Sequence, residues 1–248
     1  MRYFFEIAYL GTNYHGWQIQ SNAKTVQEEV NKALSILTNE EINITGSGRT
    51  DKGVHCVQQY FHADINREID VDDLQYKLNS FLPFDISINS IKKVTPEAHA
   101  RFDAIERKYE YRIITVKSPF LKNQAYYYNK LLDLPTMNEA ASLLVGSEKD
   151  FECFSKVKTE VNNFNCTIRT AEWVGSNSHY TFHISANRFL RGMVRAIVGT
   201  LMEVGCGKLS AVEFSDIIKS KDRKRAGRSV PAEGLFLTQV TYPKSTFI

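Results

Sequence analysis

Ile42-Asn43-Ile44-Thr45-Gly46-Ser47-Gly48-Arg49-Thr50-Asp51-Lys52-Gly53-Val54-His55-Cys56-Val57-Gln58-Gln59-Tyr60-Phe61-His62-Ala63 predicts a short strand over 42–45, a glycine-rich turn, and a strand leaving it over 57–63. Three glycines within eight positions let the backbone take positive φ and let a ligand approach closely. One carboxylate, Asp51, stands in that turn between Arg49 and Lys52. Such a stretch is a poor core and a suitable place to present an acid to an anionic substrate. An ordinary loop aspartate in an Asx-turn or at a helix N-cap is the plain alternative. The basic flanks favour the ionised form, which serves as a nucleophile or base and not as a general acid.

Outward from this turn the chain reads as alternating strands and helices. Tyr3 to Tyr9 is a strand, followed by the turn-rich Gly11-Thr12-Asn13-Tyr14-His15-Gly16-Trp17. Thr25 and Glu28 make a capping box for a helix with Val26, Val30, Ala33, Leu34 and Leu37 on one face. Leu74, Leu78 and Leu82 mark a second helix ended by Pro83, and Ile86 to Val94 returns as a strand. A second cycle begins where Lys108, Glu110 and Arg112 alternate with Tyr109, Tyr111 and Ile113. It continues with a helix over Pro135 to Val145 and strands over Thr170 to Val174 and Tyr180 to Ala186. Phe189 to Val204 reads as the longest helix, and Ser210 with Glu213 caps a short one. Leu235 to Val240 is the final strand. The expected class is α+β: two similar α/β halves, 1–104 and 105–248, with mainly antiparallel sheets joined into one continuous sheet and helices on one side.

An apolar content of 43% and a charged content of 24% are those of a soluble globular protein. No apolar run approaches the roughly 18 residues of a membrane span, and the N-terminus reads as a strand rather than a signal peptide. The expected location is the cytoplasm. Cys56, Cys153, Cys166 and Cys206 form no Cys-x-x-Cys pair, so a zinc site is not expected. His179 and His183 share a strand face, but about 13 Å apart, too far for one metal. Net charge is only +3, yet residues 188–228 hold ten Lys/Arg against four Asp/Glu. That block is either a polyanion grip or a solvated basic face.

Two further groups of residues bear on chemistry. Arg188, Arg191 and Arg195 fall at i, i+3 and i+7 of the expected helix, with Arg195 near its apolar border, where an arginine is often paired with a carboxylate such as Asp51. Tyr109, within Arg107-Lys108-Tyr109-Glu110-Tyr111, either stacks a base or packs as an ordinary strand aromatic. The glycine-rich turn lacks the third glycine of a dinucleotide loop and the Gly-Lys-Ser/Thr ending of a P-loop.

Four blocks in order resemble the TruA-type tRNA pseudouridine synthases. They are Gly46 to His55; Ala100-Arg101-Phe102 with Arg107-Lys108-Tyr109; Phe189 to Arg195 with Val198-Gly199; and Pro231-Ala232-Glu233-Gly234-Leu235. The resemblance covers essentially the whole chain, with one departure, Cys56 where the family usually has Ala. It implies an RNA cleft between the halves and an isomerase making pseudouridine at positions 38, 39 and 40 of the tRNA anticodon arm. It also implies a homodimer needing neither metal nor cofactor. Asp51 falls on the catalytic aspartate, Tyr109 on the tyrosine that stacks on uracil, and Arg195 on the arginine that pairs with the acid. Arg49 falls on a basic residue that helps displace the base, and Leu235 on an apolar wall of the uracil pocket. Lys52, Arg188, Arg191, Arg223, Lys224 and Arg225 are candidate contacts to the RNA backbone. The alternative is a non-catalytic tRNA-binding or RNA-chaperone module.

Overall fold

The alternation at the N-terminus folds into β1 (Arg2–Tyr9), with Tyr3, Phe4, Phe5, Ile7 and Tyr9 buried. The structure is a computed structural model that describes residues 1–157, 163–176 and 178–248. It divides into two units, Met1–Glu106 with Phe236–Ile248, and Arg107–Leu235. Both mix helices with a mainly antiparallel sheet, which is the class expected from the sequence.

In the first unit, α1 (Val26–Thr38) starts at Thr25, whose hydroxyl accepts the Glu28 N–H. β2 (Thr45–Gly46) and β3 (His55–Asp64) flank the Asp51 turn. The strand expected over 42–45 is reduced to β2. The Ile44 N–H and carbonyl are taken by Asn31 and Gln27 of α1 at 3.2 and 2.9 Å, so helix side chains replace a ladder there. α2 (Val71–Phe81) is capped by Asp70, which accepts from the N–H groups of Asp72 and Asp73. β4 (Ile86–Lys93) completes the N-terminal run. β1 lies antiparallel between β3 and β4. Its Phe5 pairs with Phe61, the two rings stacked at 4.8 Å.

In the second unit, β5 (Glu106–Ile114) pairs with β6 (Tyr126–Tyr127), in parallel, and with β10 (His179–Ala186). α3 (Leu134–Ser142) is tied to β9 (Ile168–Ser176) by two hydrogen bonds between the Asn138 side chain and the Trp173 backbone. β9 pairs antiparallel with β10, and β7 (Lys149–Asp150) with β8 (Asn165–Cys166). α4 (Met193–Gly205) and α5 (Ala211–Ser220) follow, the latter with both bonds of the expected Ser210/Glu213 capping box. The last strand, β11 (Leu235–Thr241), returns to the first unit and pairs in parallel with β3, Phe236 opposite His55.

One expectation fails in a way that matters for the site. α4 begins at Met193 and not at Phe189, and at 13 residues it equals α1 in length. Gly192 caps it in the left-handed region at φ 73°, and the Met193 N–H bonds the Leu190 carbonyl at 3.1 Å. Phe189 and Leu190 extend the apolar period, but a left-handed residue cannot continue a right-handed helix. Arg188 and Arg191 therefore sit in the preceding turn and share no helical stripe with Arg195. The Arg191 carbonyl is itself bonded by the Lys156 N–H at 2.9 Å.

Cys56, Cys153 and Cys166 are buried and Cys206 half-buried. Burial pushes the Cys153 and Cys166 thiols up to about 12 and 11, and that of Cys56 well above its ordinary range. Among the described residues no helix is long and apolar enough to cross a membrane.

Candidate active site

The Asp51 turn is built on a buried polar chain. The Ser47 hydroxyl donates to Gln59 Oε1 at 3.2 Å, and Gln59 Nε2 donates to the Tyr9 hydroxyl at 3.0 Å. The Tyr9 hydroxyl in turn pairs with Thr50 Oγ1 at 2.8 Å. Ser47, Gln59, Tyr9 and Thr50 are all under a tenth exposed. Buried polar groups are costly unless satisfied, and a satisfied network fixes geometry. Both ends of the loop, at Ser47 and at the residue before Asp51, are thereby tied to the β1–β3 sheet.

Backbone bonds complete the frame. The Trp17 N–H reaches the Thr50 carbonyl at 3.2 Å, and the Val54 N–H closes a turn on the Asp51 carbonyl at 3.1 Å. Gly53, third residue of that turn, has φ 78°, a conformation that favours glycine. His55, which opens β3 after the turn, is buried. Its Nδ1 accepts the Gly11 N–H at 3.0 Å, so the ring proton lies on Nε2, and the ring stacks on Phe236 at 4.5 Å. Asp51 itself is half-buried, flanked by exposed Arg49 and Lys52. Asp85 secures the neighbouring loop, accepting from the Tyr14 hydroxyl at 2.6 Å and from Asn13 at 3.0 Å.

The second unit carries the other expected residues. Tyr109 lies on β5 opposite Ile184 of β10, half-buried, with Phe189 set edge-on to its ring at 5.1 Å. Arg195 stands in the first turn of α4, half-buried, its Nε donating to the Val230 carbonyl at 2.7 Å. The Val230 N–H returns a bond to the Arg195 carbonyl at 3.1 Å. The adjacent Pro231 carbonyl accepts from the Tyr111 hydroxyl at 2.8 Å, and burial raises the Tyr111 phenol strongly. Leu235, buried, follows directly on this segment.

The basic block resolves into unequal parts. Arg223 bonds the carbonyls of Ala226 and Gly227 and the Ser229 hydroxyl, so it shapes its own loop. Lys224 and Arg225 are exposed. Lys221 is paired with Asp150 at 2.9 Å, which lowers the Asp150 carboxyl through their hydrogen bond despite partial burial.

Sequence reasoning missed Tyr9, Gln59, Thr50 and Ser47 as support for the acid. Their signal is faint: Gln59 is fully buried in a strand whose Val57 is exposed, an inversion of the usual order.

Comparison with known proteins gives a consistent result. A family model described as tRNA pseudouridine synthase matches residues 7–103 and 140–243. The tRNA pseudouridine synthase A of Bacteroides fragilis is 48% identical over 248 residues, covering 99% of this chain and 98% of that protein. The enzyme of the same name from Bacteroides thetaiotaomicron is 47% identical, covering 99% and 92%. That of Porphyromonas gingivalis is 45% identical, covering 100% and 99%.

Proposed function

The chain belongs to the tRNA pseudouridine synthase family, and on that premise we propose that Asp51 is the essential carboxylate of an isomerase converting uridine to pseudouridine in tRNA. Positions 38, 39 and 40 of the anticodon arm are its proposed targets. The observation that carries the assignment of Asp51 is the buried Ser47–Gln59–Tyr9–Thr50 chain, which pre-organises a turn of otherwise flexible composition.

The reaction breaks the N1–C1′ bond, turns the uracil, joins C5 to C1′, and exchanges the C5 proton for one on N1. Atoms and electrons balance with no water or redox partner. The uridine must leave its stack at a cost of a few kcal/mol. Asp51 then attacks C1′, attacks C6, or takes the C2′ proton, and the residues present serve all three routes. Arg49 helps to displace the base, and the Tyr109 ring, held edge-on by Phe189, faces the uracil and assists loss of the C5 proton. Arg195 pairs with the acid through its Nη groups, its Nε being used on Val230. Leu235 lines the uracil pocket. Lys52, Arg188, Arg191, Lys224 and Arg225 meet phosphates, with Arg223 holding the loop that carries the last two. A cytoplasmic homodimer bridged by one tRNA completes the reading.

The test is tritium release from tRNA labelled at uridine C5. Asp51→Asn should bind tRNA and release nothing above background. Normal release by Asp51→Asn would overturn the role of Asp51, and no release by the wild type would leave the RNA-binding module as the surviving explanation.

A further inference from the structure

The second unit contains a cavity of about 250 Å³ with an unusual lining. Lys208 and Arg228 stand at it, both exposed and neither ion-paired among the described residues. Glu203 is the acid in the lining. Tyr126 and Tyr128 form an aromatic wall, their rings 5.8 Å apart. The Tyr128 hydroxyl lies 3.1 Å from Cys206 Sγ, and burial with this contact raises the phenol to about 12, so it keeps its proton at neutral pH. The remaining wall is the segment up to Pro231, whose approach to α4 depends on Gly199, where a Cβ would meet the Arg228 carbonyl. The Gly227 N–H seals that approach on Thr200 Oγ1 at 2.9 Å.

We propose that this cavity is a ribonucleotide-binding subsite, formed by residues none of which meets the target uridine. Two cations against one carboxylate leave the lining net positive, which suits a phosphate. A single carboxylate beside them suits a sugar hydroxyl, which donates to it. Tyrosine faces suit a base, since every base has a π-face and stacking is worth roughly 1–3 kcal/mol. The volume lies just below the roughly 300–1,000 Å³ of small-molecule sites and is of the size of one nucleotide. The wall also matters to the reaction. Val230 and Pro231 give their carbonyls to Arg195 and Tyr111, so an occupant presses on the segment that sets Arg195.

The nucleotide comes from the tRNA substrate or is free in solution; the first source rests on the function proposed above. The experiment compares wild type with Lys208→Gln/Arg228→Gln and with Glu203→Gln, using whole tRNA and UMP as probes. With tRNA as the source, the double variant raises the tRNA KM about tenfold, with most of the loss in KM and not kcat. The salt slope of tRNA binding then falls by about one for each phosphate contact removed. With a free nucleotide as the source, UMP binds wild type in calorimetry, is lost in the double variant and is weakened in Glu203→Gln, while the tRNA KM holds. Unchanged tRNA KM and salt slope together with no UMP binding would overturn the subsite. Failure of the wild type to release tritium would sink the proposed function instead, and the UMP titration would still report on the cavity.

Discussion

Replacing Tyr9 by Phe removes one oxygen and leaves the ring in place. That oxygen accepts from Gln59 and pairs with Thr50, and both partners are buried, Gln59 completely and Thr50 to 8% exposure. Two hydrogen bonds at about 1 kcal/mol each, with the added penalty of stranding buried partners, put the loss at about 2–3 kcal/mol. The catalytic consequence should exceed the thermodynamic one. Thr50 precedes Asp51, and a displacement of about 1 Å at a reacting group costs on the order of a hundredfold in rate. Urea denaturation measures the first quantity and tritium release under saturating tRNA the second. Thr50→Val provides the control: the double variant should show a coupling of about 1 kcal/mol, since the two hydroxyls bond each other. A Tyr9→Phe protein with stability within about 0.5 kcal/mol of wild type and undiminished kcat would refute the idea that this chain aims the acid.

On the proposed pairing of Arg195 with Asp51, Arg195→Ala should abolish tritium release and lower stability by about 3 kcal/mol, the Val230 carbonyl losing its partner as well; a stable and active variant would rule out the pairing. His62 should make the fold acid-sensitive. Burial, and then Arg2, lower its pKa from 6.5 to about 4, while its Nδ1 accepts the Ala100 N–H. The unfolded chain takes this proton near pH 6.5 and the folded chain only near 4, so the contribution is complete above 6.5 and is lost as pH falls to 4, amounting to about 3 kcal/mol. Urea midpoints at pH 7.5, 5.5 and 4.0 should fall less steeply in His62→Asn than in wild type; parallel curves would contradict the assignment.

Local signals were legible in the sequence wherever a cap or a period decided the outcome. Thr25 and Ser210 each begin a helix, and the capping box at Ser210 forms completely. What escaped was set by tertiary partners. Phe189 to Gly192 looked helical because the apolar period runs through them, while the backbone there is governed by left-handed Gly192. Ile42 to Thr45 looked like a strand because three of its four residues are β-branched, yet α1 side chains take both backbone polar groups of Ile44. The turn containing Asp51 was recognisable from its glycines and charges. Its rigidity was not, because Tyr9, Gln59 and Thr50 are brought together only by strand pairing.

The return of β11 to β3 gives the molecule a temporal order. Val240 reaches across 182 residues of sequence to bond Gln58, and Phe236 covers His55 only when β11 is in place. At roughly 5–20 residues per second of synthesis, the Asp51 turn waits about 10–40 s on the ribosome before Phe236 can stack on His55. During that interval the flank of β3 that β11 will cover is an unpaired edge, the kind of surface that invites misassociation. The surroundings of the Asp51 turn are thus completed only once the last strand is made, and loss of that strand through premature termination would leave a nascent chain holding the aspartate but not the Phe236 ring on His55.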